Sequence, residues 1–147
     1  MPVLLAITAF LVMEPVTCLV HRVVMHRWAW ALHAGHHRPH DGGLEANDLF
    51  PVMFAALVML ALFAGFQLDI AWIIPAAVGV TTYGAAYGLV HDGYIHRRLG
   101  PVPGRHPHLE RLAEAHRLHH RYGGAPYGML FPVVASGSRP AHRPVEP

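Results

Sequence analysis

Three long apolar stretches divide the chain: residues 2–20, about 50–66 and about 70–90. The segments after the first and the third are rich in His and Arg instead. A helix needs about 20 apolar residues to cross the hydrocarbon core of a bilayer. Each stretch therefore predicts a membrane span, the second being short and workable where helices tilt or the bilayer thins. Residues 2–20 have no basic leader and no small-residue cleavage site, so they read as an uncleaved span. Asn47 and Asp48 are placed to cap the second helix, with Pro51 in its first turn, and Asp69 to cap the third, with Pro75 near its start. Gly84 and Gly88 form a small-xxx-small pair that predicts a close helix contact. A further amphipathic helix is predicted from about Pro107 to His120, because Leu109, Leu112, His116 and His119 form one helical stripe. The chain becomes turn-rich after Gly123-Gly124, and from about Ser136 it is polar, Pro-rich and predicted to be disordered. The expected fold is all-α: an integral membrane bundle of about three transmembrane helices with a cytosolic His-rich helical cap. Residues 1–135 form its domain and 136–147 a tail.

Charge sets the expected orientation. Arg22, Arg27 and Arg38 follow the first span, and Arg97, Arg98, Arg105, Arg111, Arg117 and Arg121 follow the third. The link between the second and third spans, Gln67-Leu68-Asp69, has no basic residue. The positive-inside rule then places residues 21–48 and 91–147 in the cytoplasm and the N-terminus outside, in the plasma membrane. Every histidine falls on one side.

Composition supports the membrane reading. The chain is 53% hydrophobic and 14% charged, against about 25% charge in an ordinary soluble domain. All eleven basic residues are Arg, and a net charge of +2 argues against a nucleic-acid partner. The single cysteine, Cys18, excludes an intrachain disulfide, a Cys-ligated iron–sulfur cluster and a CxxC zinc site. It reads as packing. The anomaly is histidine, with 14 in 147 residues.

Ten of them fall into two repeated motifs. His21/His26 and His91/His96 are HxxxxH; His33/His36/His37 and His116/His119/His120 are HxxHH. The same pair of motifs follows an apolar span twice. On a helix, HxxHH presents its imidazoles on one face. In HxxxxH the second side chain is turned by about 140° and raised by about 7.5 Å, so the pair is expected to straddle a broad centre rather than chelate one ion. In one straight helix His21 and His37 would stand about 24 Å apart, whereas metal–nitrogen bonds are about 2 Å. A bend between His26 and His33 is therefore expected, with partners from His91–His96 and His116–His120. Imidazole suits zinc, copper, iron and nickel. A closed structural zinc site needs only four ligands, so ten histidines suggest two metals. An imidazole-rich pair of ions beside a membrane fits oxygen chemistry on a lipophilic substrate. His40, His106, His108 and His142 lie outside the motifs and read as loop or surface residues.

MEPVTCLVHRVVMH (13–26), LHAGHHRPH (32–40), LEANDLFPVMFA (44–55), GLVHDGYIHRR (88–98) and EAHRLHHRYG (114–123) resemble the β-carotene 3-hydroxylase family, within the membrane fatty acid hydroxylase/sterol desaturase superfamily. The resemblance covers about residues 10–123. It implies a di-iron mono-oxygenase with two iron ions bound by the ten motif histidines and O2 as cosubstrate. Its substrate would be the β-ionone ring of β-carotene, taken from the bilayer and hydroxylated at C3. Electrons would come from ferredoxin and a ferredoxin reductase. No catalytic residue beyond the metal centre is implied. The chain has no G-x-G-x-x-G loop, so nicotinamide and flavin are expected on a separate reductase. A fatty acid or sterol hydroxylase or desaturase is the nearest alternative. A His-rich membrane metal carrier or sensor is the non-enzymatic one, and it would require titratable groups along a path through the spans.

Among the acids, Glu14 lies seven residues before His21, on nearly the same helical face, and is expected to accept a hydrogen bond from a ligand imidazole. Asp92, Glu45 and Asp48 are weaker candidates for the same work, with Asn47 and Asp48 also serving as caps. Trp28, Trp30, Tyr83, Tyr87 and Tyr94 are candidates for a substrate channel; aromatics of this kind also act as interfacial anchors or core.

Overall fold

The computed structural model describes residues 1–38, 43–102, 104 and 106–131. Helix α1 (Pro2–Val20) continues directly into a π-wound segment, His21–Trp28. The winding stops at Ala29 (φ −116°, ψ 29°), after which come the short α2 (Trp30–His33) and a 3-10 turn, Ala34–His37. This break supplies the bend expected between His26 and His33. A second 3-10 turn, Ala46–Asp48, leads into α3 (Leu49–Gln67). Helix α4 (Ile73–Gly88) again runs into a π-wound segment, Leu89–Ile95. The last element is α5 (Pro107–Tyr122), with Gly123 in the left-handed region (φ 66°) donating its N–H to the His119 carbonyl at 2.7 Å. The described residues contain no strand.

Three continuous helical stretches are long and apolar enough to cross a bilayer: Pro2–Trp28, Ala46–Gln67 and Ile73–Ile95. The first has 27 residues, or about 40 Å of helix, against a hydrocarbon core of about 30 Å. Leu4, Leu11, Val52, Leu57, Leu60 and Phe63 are exposed along these helices, an apolar surface that lipid covers and water does not.

Helix α4 packs against both α1 and α3. The close approach to α1 occurs at Gly79, where a Cβ would run into the Ala6 carbonyl oxygen. Gly84 and Gly88, the pair expected to make that contact, face open space. Met13, Tyr83, Met129 and Leu130 form the buried apolar cluster, with Phe10, Phe54 and Val80 packed against it. Two capping expectations also differ. Asp69 lies in the turn before α4 with φ 53°, and Trp72 occupies the N-cap. Asp48 holds the N-cap of α3 without capping it. Its carboxylate instead accepts the Glu45 N–H at 2.9 Å, closing a capping box over the 3-10 turn. His40, His142, Arg105 and the tail 136–147 lie outside the described residues.

Candidate metal centre

The two π-wound segments decide where the HxxxxH pairs point. In each, a backbone N–H reaches five residues back: Ala29 to Val24 at 2.7 Å and His96 to His91 at 2.9 Å. The turn is one residue wider than in an α-helix, which returns residue i+5 to the face of residue i. His21 and His26 therefore share one centre, with rings 5.0 Å apart, and so do His91 and His96, at 4.6 Å. The expectation that these pairs straddle a site assumed α-helical winding, and the local backbone does not have it.

The ten motif histidines converge as two adjacent clusters. His21, His26, His33, His37 and His119 form the first; His36, His96, His116 and His120 form the second. His91 joins the second through its Nε2, 3.0 Å from His36 Nε2. Each HxxxxH pair serves one cluster whole. Each HxxHH motif divides: its first and last histidines go to one cluster and its middle one to the other. Thus His33 and His37 enter the first cluster and His36 the second, while His116 and His120 enter the second and His119 the first. The clusters meet where His37 and His120 stack, 4.4 Å between centroids. The repeat in the sequence has become a pair of matching half-sites.

The ring protons are assigned from the hydrogen-bond network. In the first cluster His21 Nδ1 donates to the Tyr127 carbonyl (3.1 Å), His33 Nδ1 to Asn47 Oδ1 (2.7 Å) and His119 Nδ1 to the Gly124 carbonyl (2.6 Å). In the second, His91 Nδ1 donates to Asp92 (3.0 Å), and His36 Nδ1 lies 3.4 Å from Glu45. A neutral imidazole with its proton on Nδ1 offers only a lone pair at Nε2. The Nε2 atoms of His21 and His33 nevertheless face each other at 3.1 Å, and those of His36 and His91 at 3.0 Å. Two lone pairs do not bond one another. Two nitrogens at right angles on one ion, each about 2.1 Å from it, stand about 3.0 Å apart. His120 Nε2 is also buried with no hydrogen-bond partner among the described residues. The donor set therefore fits a metal in each cluster.

Burial keeps His33, His36, His37, His96, His116, His119 and His120 neutral, the form that binds metal. It lowers His37 to about 3, helped by His119, His33 and His26, and lowers His96 to about 4, helped by His91. Burial likewise takes His119 down to about 4 against the opposing bond to the Gly124 carbonyl. His33, His36, His116 and His120 are lowered for the same first reason.

The other candidates are placed variously. Among the described residues Glu14 bonds no imidazole. It accepts the Tyr83 hydroxyl at 2.6 Å and the backbone N–H groups of Met129, Leu130 and Phe131 at 2.8, 3.1 and 3.1 Å. It thereby fastens the segment whose carbonyls hold His21 and His119. Asp92 and Glu45 lie against His91 and His36, as above. Asp48 makes a two-pronged ion pair with Arg98 (2.6 and 2.7 Å). Arg98 also reaches Asp92 at 3.4 Å and the Gly43 carbonyl at 2.6 Å. Trp30 packs on His26 and His37 (5.4 and 5.5 Å), and Tyr87 stacks on His91 (5.2 Å). Tyr83 is buried beside Glu14, Tyr94 donates to Glu110 at 2.6 Å, and Trp28 is exposed. His106 and His108 are exposed and belong to neither cluster.

Sequence reasoning missed Asn47 as an acceptor, Arg98 as a clamp, and the Tyr127 and Gly124 carbonyls. Asn47 was visible as a cap and Arg98 as a topology charge. Backbone carbonyls have no residue-type signal.

The fatty acid hydroxylase family model matches residues 6–135. A chloroplastic β-carotene 3-hydroxylase of Haematococcus lacustris is 43% identical over 87% of this chain, which spans only 42% of that relative. The β-carotene hydroxylase of Pantoea ananas is 39% identical, over 81% of this chain and 70% of its own length. That of a Paracoccus species is 39% identical, over 89% and 82%. No solved structure matches.

Proposed function

This chain belongs to the fatty acid hydroxylase family, alongside the β-carotene hydroxylases, and from that premise we propose that it is a membrane-bound hydroxylase of the β-ionone ring of β-carotene. The product is the C3 alcohol, giving β-cryptoxanthin and then zeaxanthin. The observation that carries the reading is the pair of histidine clusters with opposed Nε2 lone pairs. We assign the ten motif histidines as ligands of two irons. Iron bound there supplies O2 activation and the electron transfers that hydroxylation of a C–H bond requires.

The chain's own residues do the rest. Tyr127, Asn47, Gly124 and Asp92 hold the ring tautomers, so that the donor atoms point inward without reorganisation. His21, His33, His36, His91, His116 and His119 are buried, which keeps bulk water from the centre. The clusters sit at the end of apolar helices, so a substrate dissolved in lipid arrives without crossing water. Trp30 and Tyr87 are the channel candidates that touch cluster rings. The Arg distribution supports an N-terminus outside and a cytoplasmic centre in the plasma membrane, open to ferredoxin and its reductase.

The test is expression in a bacterial host that makes β-carotene, with a His119→Ala chain as control. Zeaxanthin or β-cryptoxanthin from the unaltered chain alone is expected. Hydroxylated fatty acids in place of hydroxylated carotenoid would move the substrate to the family's other branch. Pigment unchanged by either chain would sink the proposal.

A further inference from the structure

The two clusters are alike in imidazole count and unlike in what stands behind the imidazoles. Where an acceptor for Nδ1 is described, the first cluster uses only neutral ones: two backbone carbonyls and the Asn47 amide. In the second, His91 Nδ1 donates to the Asp92 carboxylate, and the Glu45 carboxylate lies 3.4 Å from His36 Nδ1, a charge contact and not a hydrogen bond. Asp48 stands next to these, and Arg98 is the cation that pairs with Asp48 and Asp92. On the first cluster's side Glu14 meets Tyr83 and three backbone N–H groups, and its link to the imidazoles runs through the Tyr127–Phe131 segment.

A carboxylate accepting the Nδ1 proton gives the ring partial imidazolate character and makes Nε2 a stronger donor. A neutral carbonyl does so less. Stronger donation and nearby negative charge favour the more highly charged ion. Resting on the di-iron reading above, we propose that the two metal positions are inequivalent. The ion held by His36, His91, His96, His116 and His120 is bound more tightly and has the lower Fe(III)/Fe(II) potential. The ion held by His21, His26, His33, His37 and His119 is the one reduced first. Each change of state is one electron per ion, delivered from outside, with no bond made or broken in the protein.

The test uses the full chain loaded with iron, oxidised, and titrated with dithionite under Mössbauer observation. Two ferric signals are expected, one lost over the first electron per chain and the other over the second. Asp92→Asn should move the later step earlier and leave the first in place. Asn47→Asp, which puts a carboxylate behind His33, should move the first step later. Cobalt(II) titration of the apo-chain gives a second readout. Two binding phases are expected, the tighter weakened about 10–100-fold by Asp92→Asn, the usual cost of losing such a partner. Simultaneous reduction of both signals, or the same shift from both variants, would overturn the inequality and leave the di-iron reading intact. A chain that binds no pair of metals would instead overturn the di-iron reading, and the inequality with it.

Discussion

His21 and His33 point their Nε2 atoms at each other across 3.1 Å while each gives its Nδ1 proton away, to the Tyr127 carbonyl and to Asn47. The arrangement suits a cation between them. Without one, two buried lone pairs are opposed in a medium of low dielectric, which is unfavourable. The apo-protein is therefore expected to be less stable than the loaded one. Metal at 100 times its dissociation constant adds about 2.7 kcal/mol per site. Thermal unfolding in detergent, with and without a chelator, checks this. A melting temperature indifferent to chelation would show that the clusters do not bind metal in the folded state.

Acid should act in the same direction. Unfolded histidine titrates near 6.5, whereas His37 is held to about 3 and His96 and His119 to about 4, burial being the main cause of each. The unfolded chain therefore binds more protons than the folded one between about 6.5 and 4, and stability falls as pH falls through that window. Above about 7 the apo-protein's stability should be flat with respect to these groups. Denaturation of apo-protein measured from pH 8 to pH 4 tests the sign. Greater stability at pH 5 than at pH 7 would contradict neutral, buried rings.

Packing within the bundle yields a contrast among three glycines. A methyl group at Gly79 has to displace the backbone of α1 at Ala6, whereas methyl groups at Gly84 and Gly88 meet nothing within 4 Å. Gly79→Ala is expected to cost about 1–3 kcal/mol, the range for overpacking a close contact. Gly84→Ala and Gly88→Ala should be neutral or slightly stabilising, since alanine is the better helix former. Unfolding of the three variants in one detergent would decide it, and equal effects at all three would refute the packing described.

Much of this was legible in the sequence. The three spans needed only length and hydropathy, and the bend after His26 followed from the distance that a straight helix imposes. The division of the histidines was not legible. The HxxHH motifs split in a 3-10 turn and in α5, while each HxxxxH pair stays in one cluster through i→i+5 winding at His21–Trp28 and Leu89–Ile95, which no local residue pattern announces and which reverses the geometry expected of HxxxxH. The Gly84/Gly88 motif misled because spacing shows which residues share a face and not which face meets a neighbour. Asn47 read as a helix cap because the sequence near it says nothing of His33, fourteen positions earlier.

Glu14 brings these threads together. It was expected to bond an imidazole, and instead it binds the Tyr83 hydroxyl and three successive backbone N–H groups from Met129 to Phe131. These bonds give both carboxyl oxygens partners inside an apolar helix. Glutamine at this position keeps one acceptor oxygen and replaces the other with an NH2 donor, so Glu14→Gln should cost about 1–3 kcal/mol of stability, the range for leaving such bonds unmet. The first effect should be local: amide exchange at residues 129–131 should accelerate more than exchange in the middle of α3. The second should pass through the Tyr127 and Gly124 carbonyls to His21 and His119, lowering metal content in the first cluster before the second. Exchange rates and metal content both equal to those of the unaltered chain would show that the segment is held by other contacts, and that Glu14 positions nothing.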